Sequence, residues 1–229
     1  MTLNSAIMML YKYQRINENS LSGLIKKKLW AAHPLSFNDP FELRLMHVEG
    51  DEIDKILGFE KIKRQQPGVS GQELFDKLVK GIQQELYKLR VICYAESCYD
   101  LLMWAHCAGD HKGVCLGFEV EDPHKRGIYP VRYNDEYPKL DFDKVWHIDG
   151  LAKILHNKST HWSYEHEWRQ MLIEPDDFQR EYPRKLAEVI LGARISSEHE
   201  KLIRKILEAD DTVIKKASPD PAKYQVIIE

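Results

Sequence analysis

His161-Trp162-Ser163-Tyr164-Glu165-His166-Glu167-Trp168-Arg169-Gln170-Met171-Leu172-Ile173 sets two carboxylates, two histidines, two tryptophans and an arginine directly ahead of an apolar run. The apolar end reads as a strand. Alternation in a strand would put Glu165, Glu167 and Arg169 on one face, with His166, Trp168 and Gln170 on the other. Further strand-like runs cover residues 8–13, 29–31, 91–95, 114–120, 128–133, 189–192, 212–215 and 224–228. Between them lie stripes at helical spacing. Leu21, Leu24 and Ile25 form the first, ending at Lys26-Lys27-Lys28. Leu74, Phe75, Leu78, Ile82 and Leu86 follow, then Val145, Ile148, Leu151 and Leu155, and finally Leu202, Ile203, Ile206 and Leu207. Helices do not alternate regularly with strands and no repeat is visible. The expected fold is therefore α+β, a central antiparallel or mixed sheet flanked by helices, in one domain over residues 1–229 with a helical insertion at about 51–89.

Length and composition set the outer limits. The chain has 229 residues, enough to bury a substantial core, with 43% hydrophobic and 30% charged residues. The net charge of −3 demands neither nucleic acid nor an anionic membrane as partner. No apolar run reaches the roughly 18 residues needed to span a bilayer, and Met8-Met9-Leu10 is too short for a signal peptide. Cys93, Cys98, Cys107 and Cys115 lack a CxxC spacing and read as reduced thiols of a cytoplasmic protein.

Several local signals are specific. Asp100 is placed to cap a short helix carrying Leu101, Trp104 and Ala108, and Ser197 with Glu200 spells a capping box. The basic connection from Lys61 to Gly71 is the best candidate for a mobile loop. In the run from Val114 to Val120, Cys115, Gly117 and Glu119 share a face small enough to admit a close approach.

Four constellations carry chemistry. Glu165 and Glu167 on one face would repel, raising one pKa and supplying a general base or a hydroxyl-binding group. The competing reading is a solvated face on which Arg169 neutralises Glu167. Trp162 and Trp168 would wall a planar ligand. The turn Asn38-Asp39-Pro40-Phe41-Glu42 offers an amide and two carboxylates, or serves only as a turn. Met103-Trp104-Ala105-His106, with Asp110-His111-Lys112-Gly113, brings too few ligands for a metal. The glycines from residue 109 to 117 could cradle a phosphate with Lys112 as counter-charge, although they match neither a P-loop nor a Rossmann fingerprint. Tyr11 and Tyr13 share one strand face, with Lys12 on the other. There is no GxSxG, no HExxH and no nucleic-acid signature.

These stretches, in this order, resemble a bacterial family known as domain of unknown function 2971. The resemblance runs from about Leu10 to the last strand. Gln14 and Cys107 depart from it, where arginine and tyrosine are usual. A more distant similarity is to ADP-ribosyltransferase-like toxins and phage-defence enzymes, which have a split antiparallel sheet and, in arginine-directed members, two glutamates one residue apart. That resemblance implies NAD as substrate, with Glu167 holding the nicotinamide ribose and Glu165 orienting the acceptor. Tyr11 or Tyr13 would stack on the nicotinamide, and Asn38, Asp39 and Glu42 would close the pocket. Trp104, His106, Lys112, Tyr164 and Arg169 complete the expected binding set. The expected partners are a nucleotide-like small molecule and a macromolecular target or antitoxin. No metal and no membrane are expected. A nucleotide hydrolase or nuclease using the same carboxylates, or a sensor that binds without turnover, are the alternatives.

Overall fold

Alternating apolar runs pair into one eight-stranded mixed sheet. The structure, a computed structural model, describes residues 7–42, 50–56, 58–139, 141, 143, 148–173 and 178–229. The elements follow in the order β1 (Ile7–Gln14), α1 (Glu18–Lys26), β2 (Lys28–Trp30), α2 (Phe59–Arg64), α3 (Gly71–Tyr87), β3 (Leu89–Ala95), α4 (Leu101–His106) and β4 (Val114–Glu121). Next come β5 (Ile128–Pro130), β6 (Arg132–Tyr133), α5 (Ile148–Leu155), β7 (Asn157–Lys158) and β8 (Glu167–Ile173). The chain closes with β9 (Gln179–Glu181), β10 (Lys185–Leu191), α6 (Ser197–Ile206), β11 (Val213–Pro219) and β12 (Val226–Ile228). The large sheet has the order β12-β11-β10-β4-β1-β3-β8-β5, antiparallel except for the parallel pair β10–β11.

The sheet parts in the middle. β1 pairs with β4 along its whole length, Ile7 opposite Glu121 through Gln14 opposite Val114, but meets β3 in register only at Tyr11 and Ala95. Three apolar clusters cover the two faces. Leu10, Tyr94, Leu116, Phe118 and Val189 pack with Leu24 of α1 and Ile203 of α6. On the opposite face, Leu89 and Val91 pack with Phe75, Ile82 and Leu86 of α3. Tyr13, Ala95, Cys115 and Ile190 pack with Met103 and Trp104 of α4. The face bearing α3 and α4 thus carries two cores, with β3 and β8 running beneath the join.

Several expectations need correction. Residues 61–64 belong to α2, and Ser70 caps α3 by accepting from the Glu73 N–H, so the connection is much shorter than Lys61 to Gly71. The cap of α6 is Ser196, one residue earlier than the capping-box reading. Its Oγ accepts from the His199 N–H, while Glu200 pairs with Arg204 and Lys216. The run from 128 to 133 divides into β5, which pairs with β8, and β6, which pairs with β7. Ile25 and Leu202 face solvent rather than core. Val145 lies outside the described residues. No helix of the described residues is long and apolar enough to cross a membrane.

Candidate functional site

The opening stretch is not one strand. Residues Thr160–Glu165 form a 3-10 turn capped by Ser159, whose side chain accepts from the His161 N–H. His166 then adopts the left-handed conformation at φ 41°, and β8 begins only at Glu167. Glu165 and Glu167 therefore do not share a face through strand alternation. They meet because the left-handed residue reverses the backbone between them. Both converge on Lys158 of β7, whose Nζ lies 2.5 Å from Glu165 Oε2 and 3.1 Å from Glu167 Oε2.

Arg169 completes the cluster from the same side of β8 as Glu167. Its Nε and Nη2 each donate to a Glu167 carboxylate oxygen at 2.8 Å, a two-point grip that fixes the carboxylate plane. Nη2 also donates to Glu42 Oε1 and Nη1 to the Leu155 carbonyl, while Phe37 lies 5.2 Å beneath the guanidinium. Glu42 reaches the site because Asp39 folds the loop, accepting from the Phe41 N–H at 2.8 Å. Its second oxygen stands 3.7 Å from Lys158 Nζ. Glu42, Lys158, Glu165, Glu167 and Arg169 are all buried. The solvated-face reading of Glu165 and Glu167 therefore fails. Burial of unpaired charges would cost several kcal/mol each, so this network must be mutually satisfied.

Three carboxyls face two cations, and the electrostatics divide accordingly. For Glu167, burial pushes the pKa up, but Arg169 and Lys158 outweigh it and hold the carboxyl well below its usual range. For Glu165, burial dominates over the pull of Lys158, and Glu167 adds to it, so Glu165 titrates at about 7. Glu42 is also raised, by burial first, against the opposing effect of Arg169 and Lys158. Burial opposes the charge on Lys158, yet Glu167, Glu42 and Glu165 hold it fully protonated.

The cluster faces two openings. An inner cavity of about 120 Å³ is bounded by Tyr11, Lys12, Tyr13, Asn38, Cys93 and Cys107 together with the charged residues. It lies where β1 and β3 part. An outer pocket of about 570 Å³ is lined by Asn38 to Glu42, Asn134 to Pro138, Lys158 and Trp162. Asn38, Glu42 and Lys158 border both. Lys158 also lies 5.1 Å over the Trp162 ring.

Of the residues expected at the site, Tyr11, Tyr13, Asn38, Glu42, Glu165, Glu167 and Arg169 line the inner cavity, and Asp39 lines the outer pocket. Tyr13 also packs, edge-on to Trp104 at 5.2 Å with its hydroxyl donating to the Ser97 carbonyl. Trp104, His106, Tyr164 and Lys112 line neither space. Trp104 is fully buried and donates to the Cys98 carbonyl at 2.8 Å. His106 meets the Tyr164 hydroxyl at 3.2 Å beside the turn that carries Glu165. The phosphate cradle is overturned. The Gly113 N–H is taken by the Ala108 carbonyl, the Lys112 N–H by that of Gly109, and a Cβ on Gly113 would lie 2.1 Å from the Gln14 carbonyl oxygen. Gly117 does admit a close approach, but the protein's own Tyr11 and Glu188 make it. Trp168 points away, donating to Glu96 at 2.7 Å.

Lys158 was the residue hidden from sequence reasoning. It sits seven positions before Glu165, outside any periodic pattern, and only the return from α5 through β7 brings it in. Alternation puts Lys12 on the face away from Tyr11 and Tyr13, yet all three line the inner cavity.

No curated protein and no solved structure matches the chain. A family model described as Protein of unknown function (DUF2971) matches residues 103–170, and that match takes in the end of α4, all of β4 and the turn bearing Glu165 but neither β1 nor the Asn38 to Glu42 loop. Over those residues the chain is similar to a family whose description assigns no activity.

Proposed function

We propose that the protein is an enzyme that breaks the N-glycosidic bond of a nucleotide, with NAD as substrate and ADP-ribose transfer as the reaction. The observation that carries this reading is the Glu165–Glu167 pair, two buried carboxyls held on Lys158 at the wall of a cavity, one ionised and the other titrating at about 7. Departure of nicotinamide takes the bonding electron pair and leaves positive charge on the ribose, which a fixed carboxylate stabilises. Glu167, gripped by Arg169, supplies that standing charge. The acceptor must lose a proton as it attacks, and a base whose pKa lies near the working pH serves best. Glu165 is suited to that step.

Size supports an arrangement in two parts. The inner cavity, at about 120 Å³, admits one ring and falls below the roughly 300 Å³ usual for a whole ligand. The remainder of a dinucleotide would run past Asn38 and Glu42 into the outer pocket, where Trp162 offers a planar wall. The setting that the resemblance implies, a bacterial toxin or phage-defence enzyme with a macromolecular target and a neutralising partner, belongs to this proposal.

The test is to incubate the protein with adenylate-labelled NAD and a cell lysate. Label transfer or nicotinamide release is expected from wild type, with a loss of about 100-fold or more in Glu165→Gln, the range for a removed general base. Nicotinamide release with no labelled product other than free ADP-ribose would make water the acceptor. If wild type neither binds nor consumes NAD, the proposal fails.

A further inference from the structure

One cation at the inner cavity takes no part in the reaction proposed above. Lys12 sits in β1 next to Tyr11, the single residue at which β1 and β3 are in register. Its Nζ crosses the gap and donates to the Cys93 carbonyl oxygen at 3.1 Å. It lines the cavity together with Glu165, Glu167, Cys93 and Cys107. Among the described residues no carboxylate lies within ion-pair distance of it.

The charges of the cluster bear on its state. Glu42, Glu165 and Glu167 face Lys158 and Arg169, so two cations meet three carboxyls. The surplus is removed either by an ammonium on Lys12 or by a proton on one carboxyl. Burial acts against the ammonium, pulling the Lys12 pKa down despite Cys93, Cys107 and Glu167 nearby, and it also acts against a third carboxylate, raising Glu165. Free amine with protonated Glu165 is the arrangement that buries the least charge. An amine so desolvated keeps its lone pair for attack.

We infer that Lys12 is a nucleophilic amine that condenses with the carbonyl group of a small aldehyde admitted to this cavity, Glu165 supplying the proton that carries the oxygen away. The Nζ–C bond forms as the carbonyl electrons move to oxygen. Glu165 protonates that oxygen to a hydroxyl and takes one proton from the nitrogen, passes it to the hydroxyl as the C–O bond breaks to release water, and regains its own proton from the nitrogen as the imine forms. Amine and aldehyde give imine and water, and no other reagent is needed. A cavity of about 120 Å³, below the roughly 300 Å³ usual for a whole ligand, confines the carbonyl compound to a small one. The inference does not rest on the nucleotide reading, because it requires no nucleotide.

The experiment uses wild-type protein, glycolaldehyde and cyanoborohydride at pH 7, with labelled lysines located by peptide mass spectrometry. Lys12 is expected to label faster than the exposed Lys26 and Lys125 of the same chain, because a lowered pKa leaves more of its amine free at pH 7. In Glu165→Gln the Lys12 rate should fall by about tenfold or more, the lower part of the range for a lost general acid, while Lys26 and Lys125 keep theirs. Lys12→Arg, checked for folding by circular dichroism, should lose that peptide's label. Labelling of Lys12 no faster than Lys125, or only in urea, would overturn the inference, as would a rate unchanged in Glu165→Gln. The ratio within one wild-type chain decides even if a variant fails to fold.

Discussion

Two stretches of this chain offer the same kinds of residue and end in opposite states. Residues 109–117 carry glycines, an aspartate, a histidine and a lysine. Residues 158–169 carry glutamates, a lysine and an arginine. In the first, Gly109, Asp110 and His111 all take positive φ, at 58°, 58° and 65°, and the backbone groups around them are consumed by the turn itself and by Gly192 and Arg194. In the second, the backbone turn at His166 is the means by which buried side chains are gathered around a cavity. A polar stretch becomes a candidate site when its side chains, and not its peptide groups, are left facing enclosed space.

The sharpest way to break that contrast is Arg169→Met. It leaves Glu167 and Glu42 buried without their guanidinium, and stability should fall by about 3–5 kcal/mol, the cost of stranding a buried charge. Urea unfolding of the variant would show this as a lower midpoint.

The electrostatic half of the contrast is read from pH. Glu165 has its folded pKa raised from an ordinary 4.5 to about 7, so the folded state binds more protons than the unfolded one between those values. Its contribution is therefore full below about pH 4.5 and is lost as pH rises towards 7, by up to about 3 kcal/mol. Glu42, also raised, acts in the same direction, whereas the depressed Glu167 costs stability only as pH falls below the ordinary carboxylate range. In Glu165→Gln the decline between pH 5 and 7 should shrink. Unfolding midpoints that fall just as steeply in the variant would refute the assignment.

On the other side, Gly113→Ala should destabilise by about 1–3 kcal/mol, the usual penalty of overpacking, because its Cβ would meet two backbone carbonyls that cannot yield. Thermal melting gives the comparison. Lys112→Ala, at an exposed position outside both cavities, should change stability by no more than about 0.5 kcal/mol and leave any NAD turnover intact. A large loss of turnover there would restore the glycine-rich turn as part of the site.

Alternation from Val114 to Val120 and the apolar run from Val91 to Ala95 marked strands that exist, and Asp100 caps α4 through the Met103 N–H as its position implied. Ser196 and Ser197 are both good caps for α6, and only the backbone geometry chooses between them. The Glu165–Glu167 pairing was legible as a pair of carboxylates but not as a buried pair. Its burial depends on Lys158 and Glu42, which come from distant parts of the chain. Alternation also gave the wrong reason for their meeting, since a left-handed histidine leaves no trace in hydropathy. Trp104 and Lys112 looked like ligand contacts because aromatic and basic residues serve packing and solvent equally well. Burial separates the roles, and burial is set by the whole sheet.

Glu165 is a buried carboxyl placed to carry a proton near neutrality beside an ionised Glu167. Carbon-detected NMR of the glutamate side-chain carboxyls through a pH titration, with Glu165→Gln to assign the resonance, measures this directly. The predicted result is one carboxyl titrating at about 7 and missing from the variant. A Glu165 resonance that titrates at about 4.5, like a solvent-exposed glutamate, would contradict it.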